Sequence, residues 1–371
     1  MANPVSGHEY SSGSYPSNTD DHAKSCNCRL KIDDNQTEAE KGKSMSDVVV
    51  TYNILSSEFG HPEHHVGCSS KNLDPRNRIG KIISKLAAII GNDPIICLQE
   101  VSMYFFSELN TFFQNKNYFV ISDLYGYQDS GYMGCLIAFP NSKYNLGSNK
   151  IVKVGSELKK MLVEKKTGRA IMAREMLDSN ENSDDLVLSA CRHNSLIMVI
   201  LQRKNDSGMI CVGTYHMPCT HEKPIISLIH GSYIVKEIHG FASGVDYILA
   251  GDFNIKPDDL TYSLITDGVD YSFCIEPIGK YVSKHKVSLE NLRMRSAYAL
   301  ANRKEPVYTN CRHKKGHDLF VGCLDYIFIS NNLTVKSTLP LPEKYDEPIP
   351  SDDEPSDHLM LGARLCQKKL K

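Results

Sequence analysis

From Asp47 onward, short apolar runs recur along this chain, and several of them stop at a polar residue. Val48-Val49-Val50-Thr51-Tyr52-Asn53-Ile54-Leu55 is interrupted by Asn53. Ile95-Ile96-Cys97-Leu98-Gln99-Glu100-Val101 carries a carboxylate near its end, and Tyr247-Ile248-Leu249-Ala250 stops at Gly251, just before Asp252-Phe253-Asn254. Runs of this length, rich in branched residues and bounded by turn formers, predict strands covered on both faces. Further strands are predicted at Phe119 to Ser122, Gly134 to Phe139, Ser195 to Gln202, Met209 to Tyr215, Leu324 to Ile329 and Leu359 to Leu365. Ile79, Ile82, Ile83, Leu86 and Ile90 recur at three and four, which predicts an amphipathic helix over Arg78 to Gly91 with the glycine closing it. A second helix is predicted over Pro224 to Phe241. Strand, helix, strand is a crossover unit, and in open α/β sheets sites gather beyond the carboxyl ends of such strands. The polar, lysine-rich stretch from Gly147 to Arg192 shows no usable period and stays unassigned. Residues 1–46, rich in Ser, Gly, Asn and Asp, read as a disordered tail ahead of one catalytic domain over 47–371.

Composition narrows the function. With 41% hydrophobic and 23% charged residues, the chain is ordinary for a globular protein. A net charge of -2 argues against a protein that coats nucleic acid nonspecifically. It leaves room for an enzyme that grips one end of a strand through metals and a local basic patch. Cys97, Cys135, Cys211 and Cys323 lie inside apolar runs, where cysteine acts as a small hydrophobe. A chain this long needs no disulfide staples, so a reducing, cytoplasmic setting is expected. No apolar run reaches the roughly 18 residues needed to span a bilayer, and no secretory or transit signature opens the chain, so no membrane partner is expected. His22, Cys26 and Cys28 read as solvated. His61, His64, His65 and Cys68 match the spacing of no common zinc module and are expected instead to shape a substrate mouth.

The polar residues near strand ends are Asn53, Glu100, His216, Asp252, Asn254, Asp325, Asp357 and His358. Each alone is unremarkable, because a histidine beside a strand or a buried acid is usually structural. Together they supply the parts that metal-assisted phosphodiester hydrolysis requires. Carboxylates and amide oxygens are hard ligands suited to magnesium or manganese, and histidines can steady phosphate oxygens. Asp252 and Asn254 are two apart, so in an extended segment both side chains would share a face. Serine chemistry has no comparable support, since the chain holds no Gly-x-Ser-x-Gly elbow.

The order Tyr-Asn-Ile-Leu (52–55), Leu-Gln-Glu-Val (98–101), Thr-Tyr-His (214–216), Gly-Asp-Phe-Asn (251–254), Leu-Asp-Tyr-Ile-Phe (324–328) and Ser-Asp-His (356–358) resembles the endonuclease/exonuclease/phosphatase family. Lys256-Pro257-Asp258-Asp259, Arg192-His193-Asn194, Ser296-Ala297-Tyr298 and Tyr308-Thr309-Asn310 look like its nocturnin- and angel-like deadenylase branch. The resemblance implies an α/β, DNase I-like fold, a four-layered sandwich of two packed mixed sheets flanked by helices. It implies one or two Mg2+ ions (or Mn2+) held by Glu100, Asn53 and Asp357. Asp252 would position or deprotonate the water, Asn254 and His216 would hold the scissile phosphate or a second metal, and Asn194 would help bind the substrate. His358 would contact that phosphate, oriented by Asp325.

Some features depart from the branch. Asp74-Pro75 stands where relatives often carry tryptophan, and Met217-Pro218-Cys219 follows His216 in place of Leu and an aromatic. Three functions follow as expectations. One is a 3′-5′ exoribonuclease acting on the 3′ end of single-stranded RNA, poly(A) above all, with lysines such as Lys314 and Lys315 on the backbone. Another is a hydrolase of a small nucleotide, either a dinucleotide 2′-phosphate such as NADPH or a 2′,5′-linked oligonucleotide. The third is a noncatalytic RNA-binding module on the same fold. No leucine-rich-repeat docking module is seen in the chain.

Overall fold

The computed structural model describes residues 46–165, 181–268 and 292–368. The expected disordered tail and its His22, Cys26 and Cys28 lie outside these residues, save that Ser46 already belongs to the first strand. That strand, β1 (Ser46–Asn53), pairs parallel with β2 (Ile95–Val101) and antiparallel with β14 (Leu361–Gln367). β3 (Tyr118–Leu124), β4 (Gly134–Pro140) and β13 (Leu333–Thr338) complete a six-stranded sheet in the order β13-β14-β1-β2-β4-β3. The second sheet runs β5 (Tyr144–Lys153), β6 (Ser195–Arg203), β7 (Met209–His216), β8 (Tyr247–Asp252), β12 (Asp325–Ile329) and β9 (Arg295–Ser296). A separate hairpin joins β10 (Asn310–Arg312) to β11 (Phe320–Gly322).

Alternation along β1 shows why both faces are dry. Val49 packs with Ile95, Cys97 and Ile137 against Val199, Val212, Ile248 and Ile327 of the other sheet. Val48, Val50 and Tyr52 point the other way, onto Ile79, Ile82 and Leu86 of α2 (Pro75–Ile89) and Phe105, Leu109 and Phe113 of α3 (Met103–Asn115). The second sheet's outer face is covered in the same way: Met198, Cys211 and Leu249 meet Leu228, Ile234 and Ile238 of α6 (Pro224–Ala242). Helix, sheet, sheet, helix is the four-layered sandwich expected.

The elements differ from the sequence reading where local chemistry outweighs apolar period. α2 begins at Pro75, three residues before the predicted start, because the Asp74 side chain caps it by accepting from Arg76 N and proline fits its first turn. It ends at Ile89, and a single tight turn, Ile90–Asn92, follows. α3 was not predicted, although Phe105, Leu109 and Phe113 recur at four behind the cap Ser102. The unassigned stretch holds most of β5, an edge strand largely open to water, and then α4 (Val154–Lys165) and α5 (Glu181–Ala190). An edge strand needs only one covered side, so its apolar signal is thin.

Candidate active site

Strand register assembles one half of the site. β7 and β8 are parallel with His216 opposite Asp252, and β12 lies antiparallel to β8 with Asp325 opposite the same Asp252. Three polar residues thus stand on one rung of three adjacent strands. Gly251 makes the approach feasible, since a Cβ there would lie 1.9 Å from the Tyr215 carbonyl oxygen. β8 extends two residues beyond the predicted Ala250, so Asp252 is its last residue.

The other half comes from the first sheet. Asn53 ends β1, and Glu100 sits at φ 57° where the β2–β4 register slips between Leu98 and Val101. Its Oε2 accepts from Ser56 N at 2.9 Å and its Oε1 from Asn53 Nδ2 at 3.1 Å. The same Asn53 nitrogen donates to Asp252 Oδ2 at 3.0 Å and lies 3.4 Å from His358 Nε2. His216 Nε2 and His358 Nε2 lie 3.5 and 3.6 Å from that Asp252 oxygen. Asp252 Oδ2 is therefore the hub of the cluster. Asn53, expected as an oxygen ligand, presents its nitrogen instead, because the gap between two carboxylates calls for a donor while its own oxygen accepts from Leu55 N.

Behind His358 stands Asp325, whose Oδ2 lies 2.8 Å from His358 Nδ1 and accepts from Thr309 Oγ1 at 2.6 Å. Burial pushes the Asp325 carboxyl up to about 6, although His358 and Thr309 pull the other way. Burial would lower His358, but the Asp325 and Asp252 carboxylates outweigh it and hold the imidazole well above its ordinary range. Burial likewise opposes ionisation of Asp357, yet His358, His65, Arg312 and Arg78 together keep its carboxyl below the ordinary range.

The expected site residues lie in or against this cluster, with two departures from expectation besides that of Asn53. Asn254 adopts φ 48° and its N–H donates to Asp252 Oδ1 at 2.9 Å, so the two side chains do not share a face. Its Nδ2 instead donates to Met217 O at 2.9 Å, because Gly-Asp-Phe-Asn turns here rather than running straight. Asn194 spends its amide on the His216 carbonyl, 2.7 Å away, and so steadies the histidine's backbone.

Two residues were missed. Thr309 belongs to a motif quoted above but was given no role; its hydroxyl accepts from the N–H groups of Leu324 and Asp325 while donating to Asp325. Arg78, fully buried, donates to the carbonyls of Ile54, Leu55, Ser56 and Pro355. It ties the chain just past Asn53 to the chain just before Asp357. An arginine within an otherwise apolar helical stripe was its sequence signal.

The donor set suits a hard divalent cation. Glu100, Asp252 and Asp357 offer carboxylate oxygens, and Asp357 Oδ1 is buried without a partner. Ligand atoms of Asp252, Asp325 and His358 also lie within 4.8 Å of one another. That trio is better read as a charge-holding chain than as a cage, because the Asp325 oxygen facing His358 is already shared by an imidazole and a hydroxyl.

Residues 50–358 match the model of the Endonuclease/Exonuclease/phosphatase family. The chain is 27% identical over 342 residues to 2′,5′-phosphodiesterase 12 of Mus musculus, covering 87% of this chain and 51% of the relative. It is 26% identical over 337 residues to nocturnin of Drosophila melanogaster, covering 84% and 45%. This chain thus spans about half the length of the curated relatives it matches first. In structure it resembles ANGEL2, described as a 2′,3′-cyclic phosphatase, with TM-score 0.66, 22% identity, and coverage of 87% of this chain and 96% of that one. The relatives include the deadenylase branch that the motifs resemble. With well over half of its length matched, this chain belongs to the endonuclease/exonuclease/phosphatase family.

Proposed function

We propose that this chain is a magnesium-dependent phosphodiester hydrolase that removes nucleotides from the 3′ end of single-stranded RNA, adenylate tails being its preferred substrate. The observation that carries this reading is the convergence of Asn53, His216 and His358 on Asp252 Oδ2, with Asp325 behind His358. Asp252 Oδ1 is committed to Asn254 N, so Oδ2, on which Asn53 and the two histidines also converge, is the oxygen that would orient a water and take its proton. His358, kept cationic by two carboxylates, suits a phosphate oxygen that gains charge in the transition state. His216 faces the same place, with Asn194 donating to its carbonyl, while Asn254 braces Asp252 through its N–H and the Met217 carbonyl through its amide. Glu100, Asn53 and Asp357 would hold one or two magnesium or manganese ions, Asn53 by turning its amide over. A bound divalent cation supplies charge neutralisation at the phosphate and a more acidic water.

Hydrolysis of a small nucleotide is the second reading, favoured by the 2′,5′-phosphodiesterase relative and by the near-neutral charge. The cysteines among the described residues are free thiols, which supports the cytoplasmic setting. No helix among the described residues is long and apolar enough to cross a membrane.

The test uses the full chain with magnesium, or with EDTA as control. Its substrates are 5′-labelled RNA with an oligo(A) tail, the same RNA with a non-A tail, a 2′,5′-linked oligoadenylate, and NADPH. Magnesium-dependent shortening from the 3′ end that stalls outside the A tract is expected. Intact RNA with turnover of NADPH or of the 2′,5′ linkage would move the function to the small nucleotide. No turnover of any substrate would leave a binding module.

A further inference from the structure

Beside the site, the hairpin β10–β11 and the loop after β1 lock together. Val66 N donates to His313 O at 2.8 Å and Lys315 N to Glu63 O at 2.7 Å. The turn brings His313, Lys314, Lys315 and His317 to the histidine-rich loop, and Arg312 is the hairpin's basic residue next in sequence to Asn310 and Cys311, which hold the Asp357 carbonyl. Cys311 N and Asn310 Nδ2 both donate to the Asp357 carbonyl, and Asn310 bridges to His358. Residues two apart on a strand share a face, so Arg312 projects on the side of Asn310. It stands about 7 Å further along the strand. That distance is comparable to the step between successive phosphates of an extended single strand.

Arg312 is half-buried, and one terminal nitrogen lies 3.0 Å from His64 Nδ1. Its Nε is buried with no partner, and among the described residues no carboxylate pairs with the guanidinium. Burial, and then the guanidinium itself, lowers the His64 pKa, so His64 is a neutral acceptor that braces Arg312. A half-buried guanidinium without a salt-bridge partner is costly, and its planar fork matches a phosphate in two-pronged fashion. Arg312 acts on the Asp357 carboxylate through space but forms no salt bridge with it, and the basic residues around it add attraction for a polyanion.

We propose that Arg312, braced by His64, binds a second phosphate of the substrate, one nucleotide away from the scissile one. The inference rests on the phosphodiester-hydrolase reading and deepens it. The site would select oligonucleotides with at least two phosphates over compounds with one.

The test compares Arg312→Gln with the unaltered full chain on ApA, which has one phosphate, and ApApA, which has two. In magnesium, the KM for ApApA should rise about tenfold while that for ApA moves less than about twofold. Arg312→Lys, which keeps the charge but loses the fork, should fall between. Turnover of ApA reports that the variant is folded. In EDTA, anisotropy of a fluorescein-labelled oligo(A) should show weaker binding by Arg312→Gln, with the salt slope reduced by about 0.7. Equal changes on ApA and ApApA, or an unchanged salt slope, would overturn the subsite. If the unaltered chain binds oligo(A) with this Arg312 dependence but cleaves nothing, the hydrolase reading falls and the phosphate subsite stands.

Discussion

In the second sheet, His216, Asp252 and Asp325 stand on one rung of three paired strands. In the first sheet, Asn53 lies at a strand's last residue and Glu100 at a register slip, and both are held from outside the ladder. Ladder hydrogen bonds fix the first group; the Arg78 clamp and the Ser356 hydroxyl, which donates to the Asn53 carbonyl at 2.7 Å, fix the second. Register is a backbone property that tolerates most side-chain changes. A clamp built from one guanidinium is lost with one substitution.

The largest expected effect is at Glu100, the carboxylate of the clamped half. Glu100→Ala removes the acceptor of both Ser56 N and Asn53 Nδ2 and a proposed metal ligand. Turnover should fall by at least about a thousandfold with the far-UV circular dichroism unchanged. Magnesium-dependent activity within tenfold of the unaltered chain would remove Glu100 from the site.

Arg78 tests the clamp directly. Arg78→Ala strands four buried carbonyls, and stability should drop by about 3 kcal/mol, read from the urea midpoint with the slope unchanged. Turnover should fall as well, because the segments around Asn53 and Asp357 lose their common anchor. A variant as stable and active as the parent would show that the ladder alone holds both halves.

On the rung side, Asp325 governs the pH profile. Its carboxyl is pushed up to about 6, so as the pH falls through that value it takes a proton and ceases to orient His358. Turnover should fall on that side. Asp325→Asn should lower turnover about a hundredfold and abolish this acid limb. The linkage runs in one direction for both partners, since each folded pKa is raised. Asp325 favours the folded state below its ordinary 3.8 and loses that contribution as the pH rises through about 6. His358 contributes below 6.5 and loses it as the pH rises through its higher folded value. An unchanged acid limb in Asp325→Asn would assign that titration elsewhere.

The same contrast explains what could be read from the sequence. The rung half was legible because a buried strand that stops at a polar residue leaves a strong mark: β7, β8 and β12 were located to within two residues, and His216, Asp252 and Asp325 with them. Glu100 and Asn53 were found as residues, but not their orientation, since a positive φ and a swung amide follow from neighbours distant in sequence. Arg78 looked like one more helix residue, because the four carbonyls it serves lie up to 277 positions away. The edge strand β5 and the hairpin β10–β11 were missed for a different reason. They bury little apolar surface, so they carry little of the periodicity that sequence reading depends on.

The smallest effect is expected at Thr309, and it sharpens the comparison most finely. Its hydroxyl accepts from two backbone N–H groups and gives its one proton to Asp325, so it couples the ladder to the charged chain behind His358. That bond favours the ionised carboxyl and is one of the influences holding Asp325 down against burial. Thr309→Val keeps the shape and removes the donor. The acid limb should therefore move to higher pH, with turnover at neutral pH reduced about tenfold or less, and Thr309→Ser should restore both. Loss of turnover without movement of the limb would mean that Thr309 acts by holding the two N–H groups alone. The rung would then be set by backbone register and not tuned by the side chain that joins it to β10.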